Sequence, residues 1–274
     1  KPGQYQIITE QEDFDDWLVK LEQCQAFAFD TETTSLDYNV ARVVGVSLAI
    51  ECGLAVYIPF AHDYLDAPSQ LSETVVLGGL KPLLENPAIK KVGQNLKYDI
   101  QILRNYDVKV KGKIFDTMLA HYLIDPEQAH GMDALAEAYL NYVPVSITKL
   151  IGPKGKKQKS MRDAPLEEIT EYAGEDADIT FQLKKKLSLE VAERNLDKLL
   201  HEVEEPLSFV LADMEYSGVS IDEKALSELS DELQTESLRV QTEIFEIAGE
   251  TFNISSPKQL GSILFEKLKY LNHF

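Results

Sequence analysis

Hydrophobic positions change period several times along this chain. Over residues 11–23 (QEDFDDWLVKLEQ), Phe14, Trp17, Leu18 and Leu21 recur at helical spacing, which predicts an amphipathic helix packed on a core. Next comes FAFDTETTSL, residues 27–36, where Phe27 and Phe29 alternate as on a strand that ends in two carboxylates, Asp30 and Glu32, separated only by Thr31. Two further strand-like runs, 42–50 and 53–60, are joined through Glu51 and Cys52 with Gly53 beside them. So tight a connection predicts an antiparallel meander.

From there the pattern alternates between helices and short strands. Residues 74–86 predict a helix, 89–93 a strand, 97–106 a helix, 113–117 a short strand and 118–124 a helix. Strands followed by helices point to an α/β sheet with helices against it, and the meander that feeds it makes the sheet mixed. After a Gly/Pro-punctuated stretch at 149–160, Pro165 marks a helix start. That helix continues to about residue 195, with Gly174 weakening it by about 1 kcal/mol relative to Ala. The remainder is helical and acidic: 202–218, 223–249 and 255–268, the last with Ser255 or Ser256 as N-cap and Pro257 in its first turn. A boundary falls between residues 192 and 197, dividing the chain into 1–195 and 196–274. No internal repeat or low-complexity tract is present.

A hydrophobic fraction of 44% over 274 residues supports a proper core, and no stretch approaches the roughly 18 apolar residues of a membrane span. The opening residues, KPGQYQIITE, carry no apolar signal core. Cys24 and Cys52 are too few for a disulfide framework and read as reduced and packed near strands, so the cytoplasm is the expected compartment. A net charge of −19 argues against nucleic acid unless the bases are segregated. They are concentrated at Lys149, Lys154, Lys156, Lys157 and Lys159, either as a solvated charge run or as a contact for phosphates.

Carboxylates two apart on extended backbone point to one side and crowd unless a cation or proton neutralises them. Alone, the Asp30/Glu32 pair reads first as a strand end facing water. Two later segments add acids at helical spacing: Asn95, Tyr98 and Asp99, with Asn95 and Asp99 four apart on one helix face, and Tyr172 with Asp176, also four apart. Together, Asp30, Glu32, Asp99 and Asp176 make a set of hard oxygen donors suited to two Mg2+ or Mn2+ ions, the requirement for phosphodiester hydrolysis. The Tyr172 phenol, with an ordinary pKa near 10, suits a positioner of water better than a base. His62, His121, His130, His201 and His273 have no zinc-site spacing and read as structural or surface residues.

FDTET, NLKYD and YAGED, in this order, resemble the three motifs of the DEDD 3′→5′ exonucleases. Tyr172 matches the tyrosine subtype; where the histidine subtype carries its histidine, this chain has Glu171. Residues 56–68, 91–99, 115–123 and 216–222 extend the resemblance to the proofreading domains of bacterial family A polymerases, the DNA polymerase I type, over nearly the whole chain. The resemblance implies a ribonuclease H-like α/β fold, a mixed sheet flanked by helices, with the exonuclease domain over 1–195. The start of a polymerase domain, helical and thumb-proximal, then follows over 196–274. KYLNHF does not resemble a domain end, so a fragment of a longer protein is expected, without polymerase activity of its own and with helical apolar faces left exposed.

By the same resemblance, Asp30, Glu32 and Asp176 hold one divalent cation, Asp30 bridges to a second with Asp99 acting there through water, and Zn2+ is admitted at one site. Tyr172 orients the attacking water. Leu36 contacts the terminal base, with core packing as its alternative, and Gln94 and Asn95 meet the strand near its 3′ end. Thr31, Tyr98, Lys154 and Lys156 join this substrate-binding set. Ile147 stands where some members carry a base-wedging aromatic. The implied substrate is the 3′ end of single-stranded or frayed DNA. The chain is expected to be a monomer, partnered by the rest of a polymerase, with a bacterial, nucleoid-associated location. An RNase D-like RNA trimmer and an inactive structural module of a polymerase are the alternatives.

Overall fold

A computed structural model of the chain describes residues 3–153, 155 and 157–270. Six strands form one sheet: β1 (Gln4–Ile7), β2 (Ala26–Thr33), β3 (Val43–Glu51), β4 (Leu54–Pro59), β5 (Lys90–Gly93) and β6 (Ile114–Asp116), in the order β1-β4-β3-β2-β5-β6. The expected meander is there, since β2 pairs antiparallel with β3 and β3 with β4. β1–β4, β2–β5 and β5–β6 are parallel, so the sheet is mixed. β1 is an element that the sequence pattern did not reveal.

Side chains alternate across this sheet, and the two faces are built from residues of different size. Phe27, Phe29, Val46, Leu48, Val56 and Ile58 point to one face. There they pack on α1 (Gln11–Gln23), α2 (Glu73–Leu84) and α3 (Leu96–Arg104) through residues such as Phe14, Trp17, Leu80 and Ile102. The other face carries Ala28, Ala49 and Ala55 and receives α4 (Thr117–Ile124), α5 (Met132–Leu140), α6 (Ile147–Ile151) and the long α7 (Leu166–Glu193). Small residues on both sides let α7 lie close to the strands, with Ala173, Gly174 and Ala177 turned to the sheet. A Cβ on Gly174 would come within 2.7 Å of Tyr5 Cβ.

Single side chains pin the edges. Lys91 is fully buried in β5, and its ammonium donates to the carbonyls of Asn86 (2.5 Å), Ile89 (2.9 Å) and Lys111 (2.6 Å), tying the turn after α2 to the approach to β6. Asp178 of α7 accepts from Tyr5 Oη (3.0 Å) and Gly53 N (2.8 Å), which holds β1 and the β3–β4 turn. Of the cysteines, Cys24 is half-buried, but Cys52 sits exposed in that turn, where the tight reversal turns its side chain to solvent instead of packing it near the strands.

The chain divides into two compact units, Lys1–Gly218 and Val219–Phe274. The first continues past α7 through α8 (Asp197–Leu199) and a π-helical turn at Leu200–Glu204 into α9 (Glu205–Ser217), which packs on α3. The second contains α10 (Glu223–Ala248), α11 (Pro257–Gly261) and a π-helical stretch at Ser262–Lys267. Ser256 caps α11 through Gln259 N, as the Ser-Pro signal implied. Leu226, Leu229, Leu233 and Leu238 are exposed along α10. No helix among the described residues is long and apolar enough to cross a membrane.

Gly174→Ala tests the close approach of α7. At an open helical site the change would stabilise by about 1 kcal/mol; against Tyr5 the added methyl overpacks, and a net loss of about 1–2 kcal/mol is expected in urea denaturation. A gain in stability would show that α7 does not need the glycine.

Candidate active site at the end of β2

The alternation that sends Phe27 and Phe29 to one face sends Asp30 and Glu32 to the other, toward α7. Glu32 pairs with Gly45, and immediately afterwards the register slips, a bulge that breaks the ladder at the site. Gly45 is required there, because a Cβ would lie 2.2 Å from the Tyr57 hydroxyl. That hydroxyl is 2.7 Å from His62 Nε2, and burial lowers the His62 pKa to about 4, so this pair adds no cation beneath the acids.

Asp99 reaches the same point from α3, on the opposite face, by passing the end of β2. Its Oδ1 accepts from Thr31 N (3.0 Å) and Thr31 Oγ1 (2.6 Å). The start of α3 is held by Asp116, whose carboxylate accepts from Asn95 N (3.1 Å) and Leu96 N (2.8 Å) and also caps α4 through Met118 N (2.9 Å). Asn95 therefore does not share a helix face with Asp99. It precedes the helix in a left-handed conformation (φ 60°), which Asn tolerates and which turns the chain from β5 into α3. Sequence reasoning missed Asp116, although an Asp between a short strand and a helical run is an N-cap signal.

Asp176 and Tyr172 come from α7, one turn apart, with the phenol beside the carboxylate. Glu32, Asp99 and Asp176 are 5%, 2% and 5% exposed, while Asp30 is more open. Burial is the main cause that raises all four carboxyls. Asp30 is pushed to about 7. Glu32 lies well above the ordinary range, with the charges of Asp30, Asp176 and Asp99 adding to burial. Asp99 and Asp176 are raised likewise, each with Asp30 as the next contributor. The acids thus sense one another, as the sequence spacing implied.

Three other buried acids of this unit have backbone donors, while Glu205 resembles Glu32 in keeping Oε1 unpartnered among the described residues, with His201 Nδ1 2.8 Å from its Oε2. Asp116, Glu175 and Asp178 each accept backbone N–H groups, Glu175 also taking the Tyr142 hydroxyl. Glu32 Oε1 is buried with no partner among the described residues. A clustered set of hard oxygen donors with an unsatisfied carboxylate oxygen fits a divalent cation. The side chains do not enclose an ion as they stand: no three His, Cys, Asp or Glu among the described residues are arranged to hold one, and Asp99 Oδ1 is turned onto Thr31.

Asp30, Glu32 and Asp99 open onto a cleft of about 290 Å3, while Asp176 and Tyr172 do not line it. It is lined by Asp30, Thr31, Glu32, Leu36, Gln94, Asn95, Tyr98 and Asp99 together with Ile147, Ile151, Gln158, Lys159, Ser160 and Met161. Leu36 is 84% exposed there, which removes core packing as its role. Tyr98 Oη donates to Ser35 O (2.5 Å) and touches the Thr33 hydroxyl (2.6 Å), so it fixes the loop that carries Leu36. The Gln94 amide is engaged at both ends, donating to His130 O (2.7 Å) and accepting from Thr117, whereas the Asn95 side chain is exposed. Lys154 and Lys156 lie outside the described residues. Gln158, Ser160 and Met161 were not anticipated, because only the folding back of residues 158–161 against β2 brings them to the cleft.

Comparison with known proteins agrees with this geometry. Residues 5–192 match the family model described as 3′-5′ exonuclease, and residues 223–273 match DNA polymerase family A. DNA polymerase I of Pseudomonas aeruginosa is 42% identical over 268 residues, covering 96% of this chain and 29% of that protein. DNA polymerase I of Rhizobium leguminosarum is 39% identical over 282 residues, covering 96% and 28%. The chain thus spans less than a third of the length of these relatives. Among solved structures, the POL domain of Pol1 from M. smegmatis in complex with DNA primer-template and dNTP has the same fold, with a TM-score of 0.77 at 21% identity, covering 96% of this chain and 41% of that one. Exonucleases of the matched family generally depend on divalent metal. Asp30, Glu32, Asp99, Tyr172 and Asp176 all fall inside the matched stretch, and the chain belongs to the 3′-5′ exonuclease family associated with DNA polymerase A.

Proposed function

We propose that this chain removes nucleotides from the 3′ end of single-stranded or frayed DNA, as the proofreading part of a DNA polymerase I, and that Asp30, Glu32, Asp99 and Asp176 hold two divalent cations, Mg2+ or Mn2+. The observation that carries this reading is the clustering of four raised carboxyls, three of them lining a cleft and one with a buried unpartnered oxygen, within the exonuclease-matched stretch. Such cations supply a lower pKa for an attacking water and neutralise charge on the phosphoryl, attacking and leaving oxygens.

The chain's own groups do the rest. The Tyr172 phenol is raised far above its ordinary value by burial first and then by Asp176, Glu32 and Asp30, so it stays protonated at neutral pH. It orients the water that attacks the phosphorus by hydrogen bonding and does not remove its proton. As the water oxygen bonds to phosphorus and its proton passes to solvent, the bond to the 3′ oxygen of the preceding nucleotide breaks, that oxygen takes a proton from solvent, and a 5′-monophosphate leaves. Leu36 offers an exposed apolar surface to the terminal base, and Asn95 a free amide to the strand. Thr31, Tyr98 and Gln94 serve the substrate by holding the acids and the cleft loop in place. Lys159 lines the cleft as a cation for the backbone phosphates, and Lys154 and Lys156, outside the described residues, are proposed for the same role from the sequence.

We assign the exonuclease domain to residues 1–195 and the start of the polymerase domain to 196–274, supported by the first family match ending at 192. The compact unit runs further, to Gly218, because α9 packs on α3. A monomer in the bacterial cytoplasm, at the nucleoid, is the setting that fits this role.

On a 5′-labelled DNA strand with Mg2+ or Mn2+, a descending ladder that EDTA abolishes is expected. Asp99→Ala and Asp176→Ala should each eliminate it while keeping the native circular dichroism spectrum. A ladder at wild-type rate from either variant would refute the roles given to these acids, and faster trimming of RNA than DNA would replace the substrate. Tyr172→Phe is expected to lower kcat by about 100-fold with little change in KM.

The raised carboxyls also set a pH dependence for the metal-free protein. Asp30 titrates near 3.8 when unfolded and at about 7 when folded, so the folded state holds its proton more tightly and this stabilisation is lost as pH rises through that window. Asp30→Asn should therefore melt higher than wild type at pH 8 in EDTA, with the gap closing toward pH 5. A pH-independent gap would remove the electrostatic explanation.

A further inference from the structure

We infer that Glu215, in the last turn of α9, is a positioning residue for the carboxylate cluster, clasping α3 and the cleft loop from outside the site. Its two carboxylate oxygens take different partners on α3: Lys97 Nζ donates to Oε1 (2.5 Å) and Gln101 Nε2 to Oε2 (2.7 Å). These residues stand two before and two after Asp99, so the outward face of the helix is gripped on either side of the acid that points inward. The main-chain carbonyl of Glu215 accepts from Tyr38 Oη (3.2 Å), and Tyr38 O accepts from Asn105 Nδ2 (2.8 Å) at the end of α3. Tyr38 follows Leu36 by two residues, so one residue of α9 joins the helix carrying Asp99 to the loop carrying Leu36.

Neighbouring contacts act differently. Arg104 pairs with Asp213 and lies 4.5 Å from the Tyr216 ring, which fastens α9 to the far end of α3 without reaching the loop. Glu215 is ionised at neutral pH, because the donors on Lys97 and Gln101 hold its carboxyl below the ordinary range. With the Lys97 and Glu215 side chains about one-third exposed, the ion pair contributes little to stability. Its geometry is specific, however: two acceptors meet two donors one helical turn apart and fix the rotation of α3 about its axis. Glu215 lies between the stretches matched by the two family models, 5–192 and 223–273, so neither match assigns it to a site.

This inference rests on the proposed cation site, and the test separates the two. Mn2+ binding is followed by the electron paramagnetic resonance signal of the free ion, alongside thermal melting and Mn2+-dependent hydrolysis, for wild type, Glu215→Ala, Glu215→Asp and Asp213→Ala. Glu215→Ala should raise the Mn2+ concentration for half-occupancy and for half-maximal hydrolysis about tenfold, with Tm within about 4 °C of wild type. Glu215→Asp should recover part of the affinity, and Asp213→Ala should match wild type. If Glu215→Ala does not fold, Glu215→Gln, which loses the charge that meets Lys97, carries the same comparison. Unchanged Mn2+ affinity in the Glu215 variant would overturn the inference, as would an equal shift in Asp213→Ala, which would mean general loosening of α9. Wild type that neither binds Mn2+ nor degrades DNA would instead overturn the proposed function beneath it.

Discussion

Like charges held close together inside a protein repel, and four carboxyls are held so here, three of them lining the cleft, with few donors to quiet them. Elsewhere in the same unit, Asp116 takes several N–H groups from the start of α3 and α4, Glu175 takes that of Val145 and Asp178 that of Gly53, while Glu205 meets only His201 and keeps one oxygen unpartnered among the described residues. What sets the four apart is that the charges raising them are one another's. A carboxylate kept buried with an unpartnered oxygen, as Glu32 is, destabilises the free protein and favours whatever cation or proton relieves it.

Tolerating that arrangement depends on backbone placed with little room to move. The alanines of the sheet and the Ala173, Gly174 and Ala177 stripe of α7 bring Asp176 close to β2, where longer side chains would hold it away. The bulge after Glu32 and the missing Cβ at Gly45 leave space for the Tyr57 ring beneath the site. On the other face, Asp116 sets where α3 begins and therefore where Asp99 lies. Each device is remote from the chemistry, yet each sets the distance between two charges.

Much of this was legible in the residues. Alternation at Phe27 and Phe29 identified β2, the Glu51–Gly53 turn identified the meander, and helical spacing placed Tyr172 and Asp176 on one helix. These features are local, written in neighbouring side chains. Apart from Asp116 and α5, whose signals are local, what escaped reading was set by distant contacts. β1 is a short run, QYQI, held by pairing with β4 and by Tyr5 on Asp178. The exposure of Leu36 depends on a loop pinned by Tyr98 and Tyr38, and the membership of α9 in the first unit depends on its packing against α3. Asn95 looked helical because its spacing to Asp99 is right, but its left-handed backbone follows from Asp116, more than twenty positions away in sequence and invisible to a local window.

The order in which α7 enters the chain bears on how the protein comes into being. Asp30 and Glu32 are made early, Asp99 some seventy positions later, and Asp176 only after α4, α5 and α6 have been laid down. Contacts so far apart in sequence close slowly, because the loop entropy between them must be overcome before packing compensates for it. During synthesis the emerging chain therefore holds a sheet with an incomplete acid cluster until α7 docks. A nascent chain that lacks α7 against the sheet lacks Asp176 and Tyr172 beside the other three acids, so completion of the cluster waits on completion of this packing.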